Sequence, residues 1–101
     1  MTIEKNLNGT ELTVTVTGRL DTTTAPQLES ELKSSLDGIE ELAMDFTGLD
    51  YLSSAGLRVL LSLHKIMMKK GSMKLVNVNE EVCDVFEVTG FDEILTYEKG
   101  A

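Results

Sequence analysis

Apolar and polar residues alternate strictly along Glu11–Thr17, which reads ELTVTVT. This period of two predicts a half-buried strand with threonines on its outer side. The apolar positions on its inner side are Leu12, Val14 and Val16. The run Ile3–Leu7 precedes this strand across the Asn-Gly-Thr segment 8–10, and Asn-Gly supplies the positive φ angles of tight hairpin turns. The chain is therefore predicted to begin with an antiparallel hairpin.

Helical spacing of apolar residues replaces the alternation further along the chain. It predicts helices from about Thr24 to Leu36, from about Ser54 to Lys70, and from Glu80 to Val88. Gly71 is predicted to end the second helix. The residues expected to form its inner stripe are Leu57, Leu60, Leu61 and Met68, with Met67 and Met68 filling gaps in the core.

Short alternating runs between the helices predict three more strands. They cover Glu41–Phe46, Met73–Val78 and Ile94–Tyr97. Helices that alternate with strands after an initial hairpin imply right-handed crossovers. The predicted fold class is α/β, with a mixed, mostly parallel sheet of about five strands and three or four helices. A length of 101 residues fits a single domain, 1–101.

Composition and charge narrow the classes of partner. The chain is 42% hydrophobic and 26% charged, as in an ordinary globular protein, and its net charge is -8. Such a charge repels nucleic acids and anionic lipids, so a protein or small-molecule partner is expected. The apolar runs are too short to span a bilayer, so we expect no membrane insertion. The single cysteine, Cys83, and the lack of a leader-like start predict a cytoplasmic location.

The stretch DYLSSAGLR at 50–58 places two serines at a predicted helix start. A serine there is a helix cap, a nucleophile or a phosphate acceptor. A nucleophile elbow reads Gly-x-Ser-x-Gly, whereas position 52 is leucine. The only histidine, His64, follows Ser54 by ten residues on the same helix, about 15 Å away, and cannot activate it. A serine hydrolase using Ser54 is therefore the remote alternative, and no enzyme activity or catalytic residue is expected.

Metal and cofactor sites are not indicated either. His64 and Cys83 have no partners at metal-ligand spacing, so they are interpreted as a partly exposed helical histidine and a buried thiol. No glycine-rich phosphate loop occurs. We therefore expect no metal and no cofactor.

Two polar loops follow predicted strands directly, GRLDTTTA at 18–25 and DYLSSAGL at 50–57. Loops at the carboxyl ends of strands adjoin one another in an open sheet and form a natural binding edge. The same residues also suit helix capping, and spacing alone leaves both interpretations open. The candidate caps are Asp21, Thr22, Thr23 and Ser53.

The order of LDTTTA and DFTGLDYLSSAGLRVLL resembles the bacterial anti-sigma factor antagonists, the small stand-alone STAS domains, and the resemblance covers nearly the whole chain. It implies a STAS-like fold and a partner switch. The unphosphorylated protein would bind an anti-sigma factor serine kinase and release a sigma factor, and phosphorylation would end that binding. A serine phosphatase acting on the phosphorylated form is the second implied partner.

The resemblance also implies roles for particular residues. The usual loop of that family is Asp-Ser-Ser-Gly-Leu, with phosphate on its first serine. Aligning it on Gly56 and Leu57 puts Ser53 at the aspartate and Ser54 at the phosphoserine, with Ser53 as the second candidate. Gly56 would admit the partner's backbone, and Leu57 would pack the helix start onto the sheet. The implied partner-binding residues are Asp21, Thr22, Thr23, Asp50, Ser53, Ser54, Gly56 and Leu57. Other STAS domains serve stressosome-like particles or lipid-transport complexes, which is the alternative within the family.

Overall fold

The computed structural model describes residues 1–100 and contains six strands and three α-helices in that range. The elements are β1 (Thr2–Asn8), β2 (Glu11–Leu20), α1 (Ala25–Ser35), β3 (Glu41–Asp45), β4 (Leu49–Leu52), α2 (Ser54–Met68), β5 (Ser72–Val78), α3 (Glu80–Thr89), a 3₁₀ turn (Phe91–Glu93) and β6 (Tyr97–Lys99). None of the helices in this range is long and apolar enough to cross a lipid bilayer.

The main sheet has the strand order β1-β2-β3-β5-β6. β1 is antiparallel to β2 and the remaining neighbours are parallel, so the predicted mixed, mostly parallel sheet is confirmed. Val14, Met44 and Leu75 are partners across three adjacent strands, and all three are fully buried. The apolar sides of α1 and α2 complete the core; their fully buried residues are Leu28, Leu32, Leu60, Leu63 and Met67.

The two ends of the chain show where the sequence patterns were and were not sufficient. The N-terminal hairpin is confirmed, but Asn8 pairs with Glu11, so the turn consists of Gly9 and Thr10 alone, and only Gly9 has a positive φ, +65°. The predicted position of the last strand was wrong, since β6 covers Tyr97–Lys99. Between the 3₁₀ turn and β6, Leu95 is buried while Ile94 and Thr96 are exposed, which imitates strand alternation in the sequence.

The end of α2 differs from its prediction. Met67 is fully buried, as predicted, whereas Met68 is 51% exposed and the prediction for it was wrong; Leu61 is only half-buried. Consecutive helical residues point about 100° apart, and at the end of α2 the side that faces the core includes Met67 but not Met68. Gly71 follows the helix as predicted, but with a negative φ. A Cβ there would overlap the carbonyl group of Glu40, so close packing of two backbone segments requires this glycine.

β4 is a strand that the sequence patterns did not reveal. It runs parallel to the end of β2, and the register skips one residue between Gly18 and Arg19. Because of this bulge the side chains do not alternate: Leu49 and Leu52 are buried, and the two residues between them are exposed.

Candidate functional site

The loops that follow β2 and β4 begin side by side. Leu20 and Leu52 are register partners at the ends of these strands. The backbone N–H of Ser53 donates to the Leu20 carbonyl at 2.9 Å, which fixes the start of one loop against the start of the other. The predicted meeting of the two polar loops at one edge of the sheet is confirmed.

Asp21 organises the first loop. Its Oδ1 accepts hydrogen bonds from the Thr23 hydroxyl (2.8 Å), the Thr23 N–H (3.0 Å) and the Thr24 N–H (3.1 Å). The hydroxyl of Thr23 and the backbone N–H of Thr24 are the main reasons that the pKa of Asp21 falls from 3.8 to about 2. The N-cap residue of α1 is Thr24, whose side chain makes no cap hydrogen bond. Asp21 therefore shapes the turn before the helix, and Thr22 and Thr23 remain exposed.

Asp21→Asn is expected to lower the free energy of unfolding at neutral pH, because an amide oxygen accepts these hydrogen bonds more weakly than a carboxylate. The pKa of Asp21 is depressed in the folded state. Its contribution is therefore complete above a pH of about 4 and is lost as the pH falls towards 2. Urea unfolding between pH 7 and pH 2 should show that the gap in the free energy of unfolding between the wild type and Asp21→Asn closes as the pH falls. Thr23→Val, which removes the strongest donor, should show a smaller gap of the same pH dependence. A gap that is constant down to pH 2 would contradict this account.

The two serines of the second loop have different environments. Ser53 is the N-cap residue of α2, and its Oγ accepts from the Gly56 N–H at 3.3 Å. Ser54 is the first helical residue and is exposed. Among residues 1–100 the hydroxyl of Ser54 makes no side-chain hydrogen bond. The side-chain hydrogen bond at this turn is the one that Ser53 accepts. One hydroxyl is therefore used to start the helix, and the other is accessible.

Gly56 and Leu57 lie inside the protein, not on the loop surface. A Cβ on Gly56 would lie 2.6 Å from Leu52 Cδ1 and 2.8 Å from Leu20 Cγ, so the chain's own strands fill the space beside it. Its expected role in admitting a partner's backbone was wrong. Leu57 is only 6% exposed, which confirms that it packs the helix start onto the sheet and removes it from the accessible surface.

Arg19 and Tyr51 form an exposed pair beside these loops. They are register partners on β2 and β4, and the guanidinium carbon lies 4.3 Å from the centre of the tyrosine ring. Arg19 Nε also lies 3.6 Å from Asp21 Oδ2. This geometry is that of a cation–π contact combined with a surface ion pair. The sequence pattern does not reveal this pair, because β4 lacks the alternation that would mark it as a strand.

The turn that leads into β4 is held by hydrogen bonds from two neighbouring segments. Asp45 Oδ1 accepts from the Thr47 hydroxyl, the Thr47 N–H and the Asn77 side chain at 2.6, 2.9 and 3.1 Å. These donors, the Thr47 hydroxyl first, lower the pKa of Asp45. Asn79 Nδ2 donates to the Leu49 carbonyl at 2.9 Å. These hydrogen bonds hold the backbone that leads into β4, and Asp50 is exposed on this strand.

His64 is half-buried and Cys83 is buried, as predicted. His64 Nδ1 is enclosed without a hydrogen-bond partner in the described part of the chain, so no carboxylate there orients the ring as a hydrolytic triad requires. Within residues 1–100 no three acidic, histidine or cysteine side chains cluster as metal ligands would. The arrangement at the loop edge is thus an exposed hydroxyl beside acidic and hydroxyl-bearing side chains.

Comparison with known sequences gives one family. The profile of the STAS domain matches residues 2–100. BtrV of Bordetella bronchiseptica, provisionally named an anti-sigma factor antagonist, is 40% identical over 76 residues; the alignment covers 73% of this chain and 66% of BtrV, just under two thirds of its length. The anti-sigma-B factor antagonist of Bacillus subtilis is 28% identical over 94 residues, which cover 92% of this chain and 86% of that protein.

Solved structures share the fold at lower identity. An anti-sigma factor antagonist from Mycobacterium paratuberculosis superposes with a TM-score of 0.86 at 24% identity, over 95% of this chain and 83% of that one. The Bacillus cell fate determinant SpoIIAA in its phosphorylated form gives a TM-score of 0.75 at 15% identity, over 97% and 92% of the two chains. These structures place the chain in the same α/β architecture.

Proposed function

This chain belongs to the STAS domain family, and on that premise we propose that it acts as an anti-sigma factor antagonist in a phosphorylation-controlled partner switch. Its unphosphorylated form binds an anti-sigma factor that is a serine kinase, and so releases a sigma factor. Phosphorylation at Ser54 ends the binding. Two relatives of this chain are named as anti-sigma factor antagonists, which supports the role.

The observation that carries this proposal is the separation of tasks between the two serines. The hydroxyl of Ser53 accepts the hydrogen bond that caps α2, whereas the hydroxyl of Ser54 is exposed. A kinase needs a side chain that can enter its active site without disrupting the substrate's fold. Ser54 meets this condition and Ser53 does not, so Ser54 is the proposed phosphate acceptor and Ser53 the second candidate.

The modification transfers one phosphoryl group. Ser54 Oγ attacks the γ-phosphorus of ATP bound by the kinase, ADP leaves, and the hydroxyl proton passes to a base on the kinase. The antagonist supplies only the acceptor, so we propose that it is not itself an enzyme and binds no cofactor. A serine phosphatase reverses the step by hydrolysing the phosphoserine. ATP and sigma factors are cytoplasmic, and the proposed location is the same.

The contact surface is proposed to consist of the exposed and half-buried polar residues around Ser54. They are Asp21, Thr22, Thr23, Asp50, Ser53 and Ser54. A phosphate adds a charge of about -1.5 to -2 to a surface that already carries two carboxylates. Like-charge repulsion and the cost of desolvating the phosphate then oppose the interface, while the fold remains unchanged.

A displacement assay with a purified complex of sigma factor and anti-sigma serine kinase tests this function. Addition of the unmodified chain should release the sigma factor, and the same chain phosphorylated at Ser54 should release none. Retention of the sigma factor in the presence of excess unmodified chain would exclude the antagonist role and favour a STAS subunit of another signalling or transport complex.

A further inference from the structure

The chain contains only two arginines, and both lie near the loop edge. Arg19 is the second-to-last residue of β2, and Arg58 is in the first turns of α2. The other seven basic residues are lysines. Arginine presents a planar fork of donors that matches a phosphate group, which lysine does not. The two residues best suited to bind a phosphate are therefore near the proposed phosphorylation site.

Arg19 is already engaged and Arg58 is not. Arg19 stacks on Tyr51 and pairs with Asp21. Arg58 is exposed and takes part in none of the four ion pairs found within residues 1–100. Its guanidinium is thus available to a group that appears beside it.

The helix places Arg58 next to Ser54. The two residues are four apart in α2, and both are exposed. Residues at i and i+4 are neighbours on one helix face, with Cβ atoms about 5–6 Å apart. Helical side chains also lean towards the N-terminus, so the long side chain of Arg58 reaches back over the turn that contains Ser54.

We propose that Arg58 binds the phosphate of phosphorylated Ser54 within the same helix. The inference rests on the proposed phosphorylation of Ser54 and adds a residue of this chain that binds the phosphate. Before modification, Arg58 offers a free cation at the edge of the partner surface. After modification, the guanidinium holds the phosphate, so phosphorylation adds an anion and also withdraws a cation from the partner.

The test uses the full chain with phosphoserine installed at position 54 by genetic encoding, so no kinase is needed. Phosphorus NMR titration gives the second pKa of the phosphoserine, ordinarily about 6. Arg58→Gln should raise this pKa by a few tenths of a unit relative to the wild-type background, since the cation stabilises the dianion. Arg58→Lys should restore part of the difference, and 1 M salt should reduce it.

Two matched variants make the result specific. Lys65→Gln removes a positive charge from an exposed position further along the same helix and should leave the phosphoserine pKa unchanged. Arg19→Gln should change it less than Arg58→Gln does. The proposal is overturned if Arg58→Gln leaves the pKa unchanged, or if Arg19→Gln has the larger effect. Because the phosphate is installed without a kinase, failure of this pairing is distinguishable from failure of the antagonist function.

Discussion

Ser54→Ala is expected to abolish phosphate incorporation by the partner kinase, while Ser53→Ala retains it. Ser54 presents the accessible hydroxyl, and the Ser53 hydroxyl accepts the N–H of Gly56. For stability the order should be reversed, with Ser53→Ala the more destabilising of the two variants. Loss of the cap in Ser53→Ala should lower the free energy of unfolding by about 1 kcal/mol. Ser54→Ala should change it by less than about 0.5 kcal/mol, because the residue is exposed.

Radiolabelled ATP with the kinase, followed by mass spectrometry of the modified peptide, measures the incorporation, and urea unfolding measures the stability. The double variant, with alanine at both positions, is the background control. Phosphate found on Ser53 of the Ser54→Ala chain at the wild-type rate would move the acceptor by one residue. Incorporation into neither serine of the wild-type chain would contradict the switch itself.

The elements with a clear period were predictable from the sequence, and those shaped by contacts between segments were not. Strand β2 alternates because one of its faces meets the helices, so its apolar residues were recognised directly. β4 has its two buried residues, Leu49 and Leu52, at its ends, and a bulge against β2 decides which side chains are buried. No local pattern records that register shift. The same holds for Met68, whose exposure depends on how α2 lies on the sheet.

The location of the candidate site could be predicted from the sequence, whereas its individual contacts could not. Two polar loops after strands were expected to adjoin, and the hydrogen bond from Ser53 to Leu20 shows that they do. The division of tasks between Ser53 and Ser54 depends on which hydroxyl points to the Gly56 N–H. Gly56 was expected at a partner surface because its role was inferred from a motif, whereas its environment is set by Leu20 and Leu52 at the ends of two strands. The packing around a motif residue must therefore be known before a binding role is proposed for it.

Gly71→Ala is expected to be the most destabilising of the substitutions considered, at about 3 kcal/mol, the upper end of the usual range for overpacking. A Cβ on Gly71 would overlap the carbonyl oxygen of Glu40 and lie 2.7 Å from its carbonyl carbon. Both are backbone atoms, and no side-chain rotation can relieve the overlap. The same Glu40 carbonyl accepts the Ser72 N–H at 2.9 Å, at the point where β5 begins to pair with β3. Relief of the overlap must therefore separate the start of the β3–β5 ladder or displace the end of α2.

Gly38→Ala is the matched control for Gly71→Ala, since Gly38 has a positive φ of +78° and open space around its Cα. It tests the cost of the backbone angle alone, about 1 kcal/mol. Urea unfolding should give Gly71→Ala a clearly lower free energy of unfolding than Gly38→Ala. Amide hydrogen exchange at the start of β5 should accelerate in Gly71→Ala and not in Gly38→Ala. Equal losses in the two variants would mean that Gly71 serves only to stop the helix. The larger loss at Gly71 would show that this glycine is required by the contact between two chain segments, which explains why its helix-stop signal in the sequence gave only part of its role.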